Sequence, residues 1–110
     1  MRQHQASELI QRIIATLIAT EVQDPRFSKV TITGVDLSPD FKQAKIFFSQ
    51  LDATEKSIAK TEAAFKKASG FFRAQLAKKA ELRYTPVLFF KFDASGINAE
   101  RIAKLLDDQM

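Results

Sequence analysis

Apolar residues recur at steps of three and four near the start of the chain. Leu9, Ile10, Ile13, Ile14, Leu17 and Ile18 make one broad stripe, with Gln11, Arg12 and Thr16 opposite. That period predicts an amphipathic helix over about 5–23, stopped at Asp24-Pro25 because proline disfavours helical geometry in the residue before it. The period then changes to two. Ala44, Ile46 and Phe48 alternate with Lys45, Phe47 and Ser49, predicting strands over about 29–37 and 42–51. In the first strand Val30 and Ile32 share one parity and Val35 and Leu37 the other. A β-bulge at Gly34 would restore a single inward face. Ser38-Pro39-Asp40 supplies the turn, so the two strands should pair antiparallel.

Helical spacing returns over 53–82, where Ile58, Phe65, Phe72 and Leu76 hold one face. Asp52 is placed to cap its start, with Glu55 three residues on. Gly70 lies inside the pattern, and the period is compatible with one long helix or with two helices joined by a kink. A strand follows over about 86–93, with Leu88, Phe90 and Phe92 on one face and Val87, Phe89 and Lys91 on the other. A short helix over 99–108 is predicted last, capped by Asn98 and stapled by Ile97 and Ile102. Three strands cannot close a barrel. The expected fold class is therefore α+β, a two-layer sandwich with helices on one sheet face, as one domain spanning 1–110.

At 110 residues and 12.4 kDa, such a domain can bury a core without staples. With no cysteine there is no disulfide frame, thiolate metal site or cysteine nucleophile. A reducing, cytoplasmic setting is expected. The start carries no apolar block of secretory type, and no run approaches a bilayer span, so no membrane role is expected. His4 is the lone histidine, and the glycines at 34, 70 and 96 are too far apart to cradle a phosphate. Asp36 and Asp40 bracket a turn, the ordinary use of solvated aspartate. The chain is read as a non-enzyme with no cofactor and no metal.

The net charge of +4 is unevenly placed. Residues 1–54 balance. Residues 55–84 hold eight cations against three carboxylates, and residues 93–110 hold two cations against four carboxylates. Local concentration of this kind attracts phosphate. Lys66, Lys67, Arg73, Lys78 and Lys79 surround the small-residue step Ala68-Ser69-Gly70. A helix break at Gly70 would offer free N–H groups to phosphate, while close helix packing at Ala68 and Gly70 accounts for the same residues equally well. Phe47 and Phe89 have the outward parity in their strands. Base stacking on an open sheet is one use for them, and partial cover by the terminal helix is the plainer one.

Asp24-Pro25-Arg26-Phe27, Ser38-Pro39-Asp40, Ala44-Lys45-Ile46, Ala68-Ser69-Gly70-Phe71 with Arg73, Arg83-Tyr84-Thr85-Pro86 and Asp93-Ala94-Ser95 occur in that order. Over about residues 2–106 this pattern resembles the ribosome-binding factor A family. The resemblance implies a type II K-homology fold whose usual Gly-x-x-Gly loop is replaced by an Ala-x-Gly kink, here Ala68-Ser69-Gly70. On that basis the helical region is read as two helices, about 53–68 and 71–82. It also implies a non-catalytic factor that binds 16S-type rRNA on the immature small ribosomal subunit. Such a factor assists late maturation and 5′-end processing, especially in the cold, with a maturation GTPase as functional partner. A monomer is expected. The residues expected to meet RNA are Arg26, Lys45, Lys66, Lys67, Ser69, Gly70, Arg73, Lys78, Lys79 and Arg83, with Arg83 alternatively tying down the Asp24 or Asp93 region. The alternative reading is a protein-interaction module, resting on the amphipathic first helix and the acidic end.

Overall fold

The computed structural model describes residues 2–22, 24–27 and 29–95. Helix α1 (Gln3–Thr20) leads through a 3-10 turn (Pro25–Phe27) to strands β1 (Val30–Leu37) and β2 (Gln43–Gln50). Helix α2 (Glu55–Lys79) and strand β3 (Val87–Phe92) follow. The predicted helix over 99–108 lies outside the described residues.

Strand β2 is central. It pairs antiparallel with β1 and parallel with β3, giving a mixed sheet in the order β1-β2-β3. The bulge expected near Gly34 is present. Ile32 pairs with Phe48 and Gly34 with Phe47, so Thr33 is the extra residue and the strand changes phase there. This brings Ile32 and Leu37 onto the same buried face despite their opposite parity in sequence.

Both helices cover that face. Ala6, Ile10, Ile14 and Leu17 of α1 and Ala64, Phe65, Phe72 and Leu76 of α2 are buried on Ala44, Ile46, Phe48 and Leu88. Burying each large side chain contributes about 1.5–3 kcal/mol. Phe65 is the hub. Its ring lies 4.3 Å from Phe90, 4.5 Å from Phe27, 5.0 Å from Phe48 and 6.0 Å from Phe72. The α+β sandwich is the one the pattern predicts.

Several local expectations are corrected. Helix α2 is continuous through Ala68-Ser69-Gly70 and is not two helices. Phe65, Phe72 and Leu76 stay in phase across Gly70, and their joint burial outweighs the roughly 1 kcal/mol that glycine costs in a helix interior. The N-cap is Thr54, whose hydroxyl accepts from the Ser57 N–H at 3.2 Å. Asp52 instead accepts from the Thr54 N–H, which holds its carboxyl below the ordinary range. Helix α1 stops at Thr20, ahead of the proline, where the Glu21 and Val22 N–H groups both close on the Leu17 carbonyl. Gln11, placed on the polar side, is half-buried and donates to the Ile32 carbonyl at 3.5 Å.

Candidate nucleic-acid interface

Helix α2 carries seven cations against Glu55 and Glu62. Its period sorts the exposed residues into lanes. Ala59, Ala63, Gly70, Ala74 and Ala77 run along the solvent side at steps of 4, 7, 4 and 3, and all are exposed. Lys56, Lys60, Lys67 and Lys78 follow one flank of this low strip, and Lys66 and Arg73 follow the other. From Lys56 to Lys78 the surface is about 33 Å long, at about 1.5 Å per residue. A strip without side-chain bulk between rows of ammonium groups lets a polyanion lie close to the helix. Lys78 and Lys79 also sit at the negative end of the helix dipole, where positive charge is favoured.

Gly70 is not required by packing. A Cβ there would meet nothing within 4 Å, and its φ is not positive. The close-packing account therefore holds for Ala68, half-buried against the core, and not for Gly70. Because the helix is unbroken, the N–H groups after Gly70 belong to its own ladder, which removes the phosphate site expected at a second helix start. The Ser69 hydroxyl donates to the Lys66 carbonyl at 2.9 Å.

Of the expected residues, the structure gathers Lys66, Lys67, Ser69, Gly70 and Lys78 on this surface. Arg73 belongs to it by position, but its Nη2 donates to the Thr85 carbonyl at 3.1 Å and so braces the approach to β3. Lys79 pairs with Glu21 at 3.3 Å, clasping the ends of α2 and α1. The Arg26 guanidinium grips Asp24, with Nε 3.0 Å from Oδ1 and Nη2 2.5 Å from Oδ2. These hydrogen bonds lower the Asp24 pKa and raise that of Arg26. Arg83 does not tie down Asp24 or Asp93. Its guanidinium lies 5.5 Å from the centre of the Tyr84 ring. Asp93 is held instead by the Ser95 hydroxyl and N–H and by the Thr33 hydroxyl, which lower its pKa.

Lys45 is on the other side of the molecule. It sits on the helix-free face of the sheet, in register with Asp36 of β1 and Phe89 of β3. Phe47 is half-buried there and Phe89 is 44% exposed. Lys56 and Lys60 were not singled out from the sequence, although the spacing of Lys60, Lys67 and Lys78 was visible and places them in one lane. Among the described residues no cluster of side chains could hold a metal ion, and no helix is long and apolar enough to cross a membrane.

The family model for ribosome-binding factor A matches residues 2–106. The chain belongs to the ribosome-binding factor A family. Ribosome-binding factor A of Coxiella burnetii (strain Dugway 5J108-111) is 43% identical over 107 residues, covering 96% of this chain and 87% of the relative. That of Azoarcus sp. (strain BH72) is 37% identical over 107 residues, covering 97% and 84%. The crystal structure of ribosome-binding factor A from Thermus thermophilus superposes with a TM-score of 0.71 at 23% identity, covering 83% of this chain and 96% of that one. A homology model of the Thermus thermophilus factor, fitted into a cryo-EM map of its 30S complex, gives 0.65 at 24% identity, covering 80% and 91%. The two Thermus likenesses establish a shared fold.

Proposed function

We propose that this chain is a non-catalytic assembly factor that docks on rRNA of the immature small ribosomal subunit through the outer surface of α2. The observation that carries this reading is the pair of cation rows along an exposed strip of small residues. Family membership supports it, as does the Thermus factor fitted into a 30S complex. On this reading the monomer acts in the cytoplasm, assists late maturation and 5′-end processing in the cold, and works alongside a maturation GTPase.

Docking of this kind is positioning. Ammonium groups neutralise phosphates, and the low strip fits shape in place of base sequence. The test is co-sedimentation with immature small subunits. Lys66→Glu with Lys67→Glu should abolish it while circular dichroism stays unchanged, and undiminished co-sedimentation removes this surface from the reading. Binding to protein-free small-subunit rRNA is expected as well. Binding restricted to assembled particles would favour the protein-docking alternative.

A further inference from the structure

One end of the sandwich carries a buried polar atom without a partner. Gln50 is the last residue of β2 and has the inward parity of Ile46 and Phe48. Its Nε2 donates to the Asp52 carbonyl at 2.5 Å and to the Ser57 hydroxyl at 3.0 Å. Its Oε1 is buried and has no hydrogen-bond partner among the described residues. Turning the amide over would set Oε1 against the Asp52 carbonyl, acceptor against acceptor, so the two Nε2 bonds fix its orientation. An acceptor in this position has lost its hydration and received no donor in exchange. A donor that reaches it therefore contributes more than an ordinary hydrogen bond does.

Gln50 also lines a cavity of about 200 Å³ between α2 and the turn that enters β1. Arg26 and Lys29 stand on the turn side and Lys60 on the helix side, against one carboxylate, Asp52. Asp52 is already engaged by the Thr54 N–H at 3.2 Å, and Arg26 is held on Asp24. Lys29 and Lys60 are exposed and have no carboxylate in ion-pair reach among the described residues.

The cavity therefore suits two chemistries at once. The two lysines attract an anion, while Oε1 accepts only from an O–H or N–H. A phosphate by itself offers acceptors alone, and so does the backbone of DNA. The backbone of RNA offers both, because each ribose carries a 2′-hydroxyl beside its phosphate. Lys60 also belongs to the cation row of α2, so a strand lying along that row meets the cavity at its end.

We propose that this cavity seats one ribose and its phosphate, with the 2′-hydroxyl donating to Gln50 Oε1 and with Lys29 and Lys60 flanking the phosphate. The proposal rests on the RNA docking read from α2 and adds to it the means of selecting RNA over DNA. Oε1 is covered in the free protein, so seating the ribose moves the long side chains at the cavity mouth, and Lys29 and Lys60 are exposed and unpaired. Base identity plays no part, since every ribose offers the same hydroxyl.

Fluorescence anisotropy on the full chain tests this, with an oligouridine of about ten nucleotides and its 2′-fluoro counterpart at one low salt concentration. The fluoro sugar keeps the ribose pucker and nearly its size but has no O–H to donate. The parent should bind the ribose form about tenfold more tightly, the effect of one donor on a buried acceptor. Gln50→Met keeps the side-chain length, removes the acceptor and should bring the two affinities within about twofold. Lys29→Gln, an exposed change, should weaken both forms alike and reduce their salt slopes by about 0.7. Taking the ratio of the two forms cancels the phosphate contacts of α2, which both share. Equal binding of the two forms by the parent overturns this site alone and leaves Oε1 to water. A parent that binds neither form overturns the docking reading together with the site. A preference unchanged in Gln50→Met overturns the proposal, as do parental salt slopes in Lys29→Gln. Competition by uridine monophosphate at the affinity of the oligomer would reassign the cavity to a free nucleotide.

Discussion

Replacing Lys60, Lys67 and Lys78 together by glutamine strips most of one cation row from α2 and keeps good helix formers at each position. The free cations of the surface are Lys56, Lys60, Lys66, Lys67 and Lys78. None has a carboxylate within ion-pair reach among the described residues, unlike Arg26 and Lys79. Each phosphate neutralised steepens the fall of log affinity against log salt by about 0.7–0.9, so about five contacts give a slope near −4. A fourfold rise in salt then weakens the parent about 250-fold. The triple variant retains about two contacts and a slope near −1.6, so the same rise weakens it only about ninefold. The assay is a salt titration of binding to small-subunit rRNA by fluorescence anisotropy, with circular dichroism confirming the helix. A companion pair, Asp24→Asn with Arg26→Gln, removes an ion pair of zero net charge and should leave the slope unchanged. A triple variant with the parental slope would refute the assignment of these lysines to phosphate contacts.

Gly70→Ala should raise the free energy of unfolding by up to about 1 kcal/mol, and the denaturation midpoint with it, because the site is an exposed helix interior with open space at the Cβ position. A lowered midpoint would contradict the continuous helix. Phe65→Ala should cost about 3–5 kcal/mol, since it leaves a cavity where four rings meet, and urea titration reads this directly. Asp24, Asp40, Asp52 and Asp93 all have pKa values lowered below the ordinary 3.8 by hydrogen bonds. Their contribution is present in full above about pH 4 and is lost as pH falls through the lowered folded values. The urea midpoint should therefore fall on acidification from about pH 4 toward pH 2, and a rising midpoint would count against these bonds.

The period of apolar residues was enough to place both helices, all three strands and a bulge next to Gly34, which the structure sets at Thr33, because burial on one face demands that period. The period left Gly70 open, and the continuous backbone with Phe65, Phe72 and Leu76 buried on one face decided for an unbroken helix. The resemblance pointed to two helices because it matched Ala68-Ser69-Gly70 as a motif, without weighing the packing on either side. Thr54 displaced Asp52 as the cap because the two compete for the same turn, and only backbone geometry decides between them.

What the sequence determined by itself was therefore the α+β class, the family and the concentration of charge in the middle of the chain. All three are properties of local order and composition. The tertiary structure decided which charges are available. Lys79 is engaged by a glutamate 58 residues away, Arg73 by a carbonyl 12 residues away, and Lys45 is carried to the far face of the sheet. It also decided that β1 and β3 are the outer strands of the sheet, with Gln3 and Gln11 of α1 donating to β1 carbonyls. Those outcomes depend on distances between elements that are remote in sequence, and neither periodicity nor charge counting encodes such distances.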